Sequence, residues 1–230
     1  MKLSEINTAT RYPITIPSNQ QVTTFRPFVV KEEKSLLVAH QSEDAGVQLA
    51  TLESVIRSCV ENAPKELTTF DVEYLFLMIR AKSVDENSIM IGTCGKCSEK
   101  TEFAIDLTQA EVTELRDRKL KIADDFVILM KYPSISTITT LAKETDQVLK
   151  KTKTIAASIE TVYYKDVVFH TKDCEMQELI DFLDNRTDAE FELITDFIDN
   201  IPTVKLDSGF KCPHCEAQNE IHLRTLSDFF

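Results

Sequence analysis

Glycine is scarce in this chain, with four among 230 residues, and two of the four stand together in Gly92-Thr93-Cys94-Gly95. The glycine-dependent signatures of phosphate and nucleotide binding, G-x-x-x-x-G-K-[ST] and G-x-G-x-x-G, are absent. So are the G-x-S-x-G nucleophile turn and the H-E-x-x-H pair of zinc proteases. Enzymes that cradle phosphates or bend a nucleophile into a strained turn need such residues, so their absence weighs against catalysis. The chain also lacks any apolar run near the ~18 residues that cross a bilayer. Its first residues, Met1-Lys2-Leu3-Ser4-Glu5, lack the charged and apolar regions of a signal peptide.

Positive charge is the other deficit. Lys and Arg number 26 against 38 Asp and Glu, for a formal net charge of −12. Phosphate binding rests on clustered Lys and Arg, and the clusters here are small: Lys119 with Lys121, and Lys150, Lys151 with Lys153. The expectation is a protein partner and no nucleic acid.

What stands out is a pair of cysteine turns. Ile91-Gly92-Thr93-Cys94-Gly95-Lys96-Cys97 and Phe210-Lys211-Cys212-Pro213-His214-Cys215 each hold a C-x-x-C. A tight turn between two cysteines aims both thiolates at one small volume, so two such turns complete a tetrahedral Zn²⁺ shell. The predicted ligands are Cys94, Cys97, Cys212 and Cys215. Four thiolates leave no position open for water or substrate, which makes the zinc structural. The spacing is unusual, because residues 98 to 211 separate the two pairs, where a compact ribbon needs about 15–20. His214 lies inside the second turn and is left out of the ligand set, and His222 is expected to face solvent. Cys59 and Cys174 read as structural residues. Six cysteines with four in zinc-type pairs fit a reducing compartment, hence a protein that is cytosolic when made.

Along the chain, alternation and prolines predict two short strands at 12–17 and 22–28. Helices are predicted from Val30 through Leu36, Leu37 and His40, from Val47 to Ala63, and from Thr69 to Lys82. The last is apolar nearly all round, either a central core element or a face that a partner covers. Strands at 88–92 and 101–105 flank the first knuckle. Residues 106–121 are expected to be helical in part, with a strand at 126–130 and helices at 136–151 and 154–164. A short extended piece at 166–171, a helix at 175–183 and a capping box, Thr187 with Glu190, opening a helix to Asn200 follow. Phe191, Ile194 and Ile198 form its expected inner stripe. The many carboxylates from Asp181 to Asp199 read as a solvated face or as docking ground for a basic partner. Strands at 203–206 and 220–223 flank the second knuckle, and Leu226, Phe229 and Phe230 are expected to pack on the ribbon or on a neighbour.

The fold class expected from these pieces is α+β, mainly helical, with a short N-terminal β-hairpin and a split zinc ribbon formed by the two distant knuckles. Its parts would be an N-terminal hairpin and helical region (1–87), the split ribbon (88–106 and 203–230), and a mainly helical insertion (107–202).

Several stretches also carry a resemblance. Phe25-Arg26-Pro27-Phe28 running into Lys31-Glu32-Glu33-Lys34, Phe70-Asp71-Val72-Glu73-Tyr74-Leu75-Phe76-Leu77, the first C-x-x-C, Lys131-Tyr132-Pro133-Ser134, and the tail with Cys212-Pro213-His214-Cys215 and Phe229-Phe230 occur in order along most of the chain. Together they resemble the T-even-type baseplate hub assembly proteins of contractile-tailed bacteriophages, a phage base plate protein family. That resemblance implies a non-enzymatic tail-hub component or assembly chaperone. Its partners would be other tail or baseplate hub proteins, the tape-measure protein among them. Its location would be the host cytoplasm during assembly and then the virion tail baseplate. Two alternatives stand beside it: a cellular zinc-ribbon adaptor in transcription or RNA processing, and an enzyme with a divergent carboxylate site.

Overall fold

The computed structural model describes residues 9–42 and 44–224. They form two compact units. Unit 1 takes the described residues up to Lys65, Phe70–Thr113 and those from Thr203 onward, and unit 2 takes Glu66–Thr69 and Glu114–Pro202.

Unit 1 begins with β1 (Tyr12–Ile16) and β2 (Gln21–Phe25), paired antiparallel. Ile14, Ile16 and Phe25 point inward, as the two-residue period of a strand requires. Helix α1 (Val30–His40) buries Glu32 and Ala39, whereas Leu37 and His40 of the expected stripe are exposed. The buried acid is explained by Arg26. Its guanidinium reaches Glu32 Oε1 at 2.9 Å and donates to the Pro27 and Ser58 carbonyls at 2.9 and 3.0 Å. Glu32 Oε2 accepts the Val29 N–H at 2.8 Å, satisfying a backbone donor that the first helical turn leaves without a partner. Helix α2 (Ala45–Cys59) starts where Asp44 accepts the Gly46 and Val47 N–H groups. It buries Leu52, Val55, Ile56 and Cys59. It ends short of the expected Ala63 because Val60 turns extended and bridges Phe25.

Helix α3 (Thr69–Ser83) is the apolar helix of the sequence, and it is a core element: Phe70, Val72, Leu75, Phe76, Leu77, Ile79 and Ala81 are buried. Asp71 is fully buried and accepts the Ser18 N–H at 2.9 Å, so its charge meets a donor. Strands β3 (Asn87–Thr93) and β4 (Lys100–Asp106) then form a two-stranded sheet whose tip is the first knuckle. Asp106 caps a 3-10 turn, Leu107–Gln109, and the brief strand β5 (Glu111–Val112) follows.

Unit 2 holds β6 (Lys119–Ala123) and β7 (Phe126–Met130), then α4 (Ile135–Leu141) and α5 (Gln147–Ala157), then β8 (Ile159–Tyr164) and β9 (Val167–His170), and α6 (Met176–Asp184) and α7 (Asp188–Asp199). Its four strands make an antiparallel sheet in the order β6-β7-β8-β9. The buried side chains include Phe126, Ile128, Met130, Ile159 and Val162 from the sheet and Leu179, Leu183, Ile194 and Phe197 from the helices. The Lys131-Tyr132-Pro133-Ser134 stretch is a structural corner. Tyr132 stacks on Phe197 with centroids 5.3 Å apart, its hydroxyl accepts the Arg116 N–H at 2.9 Å, and Ser134 caps α4. The Thr187–Glu190 capping box forms as expected at the start of α7.

The chain returns to unit 1 through β10 (Val204–Lys211) and β11 (Gln218–Leu223), the hairpin that carries the second knuckle. β10 also pairs β5, with Val204 opposite Val112, and beside that pair the Thr113 N–H donates to the Thr203 carbonyl at 2.9 Å. A core of Leu77, Ala81, Ile105, Leu107, Ala110, Val204, Leu206 and Leu223 packs α3 against these strands.

Two parts of the expected fold class are corrected. The chain is mixed α+β and not mainly helical: seven helices accompany eleven strands in four sheets among the described residues. Residues 159–164 are a strand because Ile, Thr, Val and Tyr side chains pack well on a pleated surface and crowd a helix. Asp146 breaks the expected 136–151 helix by accepting the Val148 and Leu149 N–H groups and opening α5 afresh. In 106–121 the order is a 3-10 turn and strands rather than a helix. The split ribbon is the second correction. The two knuckle hairpins belong to different sheets, β3-β4 and β11-β10-β5, with no ladder between them among the described residues, and their four cysteines cluster. Leu226, Phe229 and Phe230 lie outside the described residues.

Arg26 and Glu32 supply a stability test. Their side chains are only 13% and 10% exposed, and removing one partner of a buried pair costs about 3 kcal/mol. Burial opposes the charge on Glu32, but hydrogen bonds from Arg26 and the Val29 N–H outweigh it and lower its pKa. The contribution is therefore complete above the unfolded-state value, about 4.3, and is lost as pH falls through the lower folded value. Arg26→Met should lower the urea midpoint near neutral pH, and the gap from the parent protein should close in acid.

Candidate metal centre

The two knuckles are built alike. In the first, the Cys94 N–H donates to the Glu99 carbonyl and the Ser98 N–H to the Cys94 carbonyl, both at 2.9 Å. In the second, the Cys212 N–H donates to the Ala217 carbonyl and the Glu216 N–H to the Cys212 carbonyl, again at 2.9 Å. The residue after the second cysteine is left-handed in both, with φ of 62° at Ser98 and 60° at Glu216. This turn folds each C-x-x-C so that its thiols share one side.

The hairpins then bring the two pairs together. Cys94 Sγ lies 3.6 Å from Cys215 Sγ, and Cys97 Sγ lies 3.6 Å from Cys212 Sγ. All four sulfurs fall within 4.8 Å of one another and could hold a metal ion. Cys94 and Cys212 are buried, and Cys97 and Cys215 half-buried. A tetrahedral ion with metal–sulfur bonds of about 2.3 Å sets its sulfurs about 3.8 Å apart, so the spacing and the donor set fit a thiophilic ion.

The backbone also favours thiolates at part of the cluster. N–H groups of Cys97 and Lys96 bring Cys94 down to about 6, helped by Asn219 and Cys215. At Cys212 burial resists ionisation, but the His214 and Cys215 N–H groups prevail and lower its pKa. Cys97 receives the Glu99 N–H, yet burial and the neighbouring thiols push it up to about 12. A bound cation relieves this conflict, because metal ligation needs the deprotonated form at every cysteine.

Three of the chain's four glycines serve this site. A Cβ on Gly92 would sit 2.7 Å from Phe210 and 2.9 Å from Phe103, the two rings stacked at 4.8 Å beneath the sulfurs. A Cβ on Gly209 would meet the Asn219 carbonyl oxygen at 2.7 Å, so glycine there lets β10 approach β11. Asn219 itself was not predicted from sequence. Its Oδ1 accepts the Gly95 N–H at 2.9 Å, and its Nδ2 lies 3.6 Å from Cys94 Sγ and 3.1 Å from the Ala217 carbonyl. One side chain thus ties the first knuckle to the second hairpin. Gly209 was the available signal, as one of four glycines placed just before a knuckle.

The other residues weighed for the site stay apart from it. His214 is exposed. His222 is exposed and meets Asp207 at 2.8 Å. Cys59 is buried and Cys174 half-buried. Among the described residues the four cysteines are the one group of three or more His, Cys, Asp or Glu able to share an ion.

Against known proteins, the family model described as T4 bacteriophage base plate protein matches residues 9–230. No curated protein and no solved structure matches the chain.

Asn219→Ala keeps all four thiols but frees both knuckles from the amide that aims them. Partners of this kind are worth about 10–100-fold in metal affinity. Competition of the loaded protein against a chromogenic chelator should show a loss of at least tenfold, with the metal still bound at one site.

Proposed function

The chain belongs to the T4 bacteriophage base plate protein family, and from that premise we propose that it works without catalysis, in the baseplate hub or in its assembly, through protein contacts. The carrying observation is a match that spans 9–230, both units included. The partners under this reading are other tail or baseplate hub proteins, with the tape-measure protein among them. The sites of action are the host cytoplasm during assembly and the tail baseplate of the virion. The acidic charge and the small size of the basic clusters agree with protein partners rather than nucleic acid.

The metal in this reading is a structural Zn²⁺ held by Cys94, Cys97, Cys212 and Cys215. When bound, zinc supplies a closed thiolate shell and a cross-link, with no position for a substrate. The residues do the rest: the knuckle N–H groups orient the sulfurs, Asn219 couples the turns, and Phe103 with Phe210 backs them with apolar surface. No observation favours the cellular adaptor or the divergent enzyme.

Elemental analysis of protein purified without added metal should find about one zinc per chain. Stripping it, or substituting Cys212→Ser, should lower the melting temperature by about 10 °C, the scale expected when a long-loop cross-link is lost. Protein free of zinc with unchanged melting would sink the metal reading. Pull-down from infected cells should recover tail or baseplate proteins, and recovery of polymerase or RNA in their place would overturn the functional one.

A further inference from the structure

Unit 2 leaves part of its own apolar face uncovered. Cross-strand partners share a face of a sheet, so the face of Phe126 and Ile128 on β7 continues through Val162 and Tyr164 on β8 to Phe169 and Val167 on β9. Its burial falls away along that line. Phe126 and Val162 are 6% and 7% exposed, Tyr164 is 45%, and Phe169 is 50%. There the face opens into a groove of about 450 Å³ between the sheet and α6, with Leu179 and Phe182 on the helix side. β9 is also an edge, with β8 on one side and no strand on the other among the described residues. An edge strand with exposed apolar side chains is a template for another strand, and a groove beside it can receive that strand's inward residues.

Charge says which kind of strand fits. Glu178 lines the groove, and Asp173 and Glu175 flank Cys174 at its rim. None of these three carboxylates has an ion-pair partner among the described residues. Of the nearby cations, Arg186 lies over Phe182 and Phe126 at 4.6 and 5.3 Å and Lys165 over Tyr164 at 5.1 Å, which leaves Lys172, beside Asp173, as a minority against the three carboxylates. A second copy of this chain would bring the same acidic rim against itself.

We propose that β9 and the adjoining groove are a docking edge for an extended segment of another protein, apolar at alternate positions and carrying Lys or Arg at one end, added as a fifth strand. Its alternate apolar residues would face the groove over Phe169 and Tyr164, and the cations at its end would meet Asp173, Glu175 and Glu178, which follow the end of β9 at His170. The inference deepens the reading of this chain as a protein-contact component and rests on it for the existence of a protein partner.

The test uses the full-length protein and a ten-residue capped peptide of alternating Val and Thr that carries two Lys at each end, with a Glu-ended peptide as control, read by fluorescence anisotropy. The Lys-ended peptide should bind at least tenfold more tightly, and amide exchange at 167–170 should slow on binding. Phe169→Asp should weaken binding at least tenfold, and the double variant Glu175→Lys/Glu178→Lys should reverse the charge preference. If Phe169→Asp disturbs folding, the double variant and the exchange pattern still decide. Equal affinity for both peptides, no binding of either, or unprotected β9 amides would overturn the proposal. So would sedimentation showing a dimer of the free protein that Phe169→Asp dissociates, since the occupant would then be a second copy. Pull-down of tail proteins by a chain that fails the peptide test would overturn the docking edge alone. Recovery of no tail protein would count against the function instead.

Discussion

Thiols from turns 115 and 121 positions apart meet at 3.6 Å, and unit 1 closes around that meeting. Closing a loop of about 100 residues removes on the order of 4–5 kcal/mol of unfolded-chain entropy when the closure is a durable cross-link. Hydrogen bonding between neutral thiols is too weak to do this, and backbone N–H groups that favour the Cys94 thiolate stand against the burial and neighbouring thiols that keep Cys97 protonated. A cation shared by four thiolates answers both problems at once. The surrounding structure is arranged for close approach at this point: glycine where the rings stack, glycine where one strand passes over a neighbouring carbonyl, and a single asparagine joining the hairpins.

The division between what the sequence revealed and what it hid follows the range of the interactions. The cysteine pairs and the Thr187–Glu190 box were readable because each depends on neighbours three positions away. The region 154–164 was misread because its first residues are helical and its last are strand, with only Ser158 between them. The inner stripe of α7 was right at Ile194, but Phe197 takes the buried place because Tyr132 provides a ring for it to stack on. That partner lies 65 positions earlier, beyond any local pattern. Asn219 was missed for the same reason, since its role exists only once the first knuckle arrives.

The family-like stretches are now seen to have separate physical tasks. Phe25-Arg26-Pro27-Phe28 and Glu32 hold the first hairpin to α1 and α2 through one buried ion pair. Phe70 to Leu77 forms the buried helix, and Lys131 to Ser134 turns the corner of unit 2.

The β5–β10 pairing, with Thr113 and Thr203 joined beside it, has a consequence in time. Nearly all of unit 2 lies between those two threonines, so a ribosome completes it before it makes β10, β11 and the second pair of thiols. Domains fold as units during synthesis, and here the later-encoded unit can mature first. Until residues 204–223 emerge, the nascent chain carries Cys94 and Cys97 without their counterparts, and Leu77, Ile105 and Leu107 without their cover. The four-cysteine cluster can therefore assemble only after residues 212 to 215 have been made.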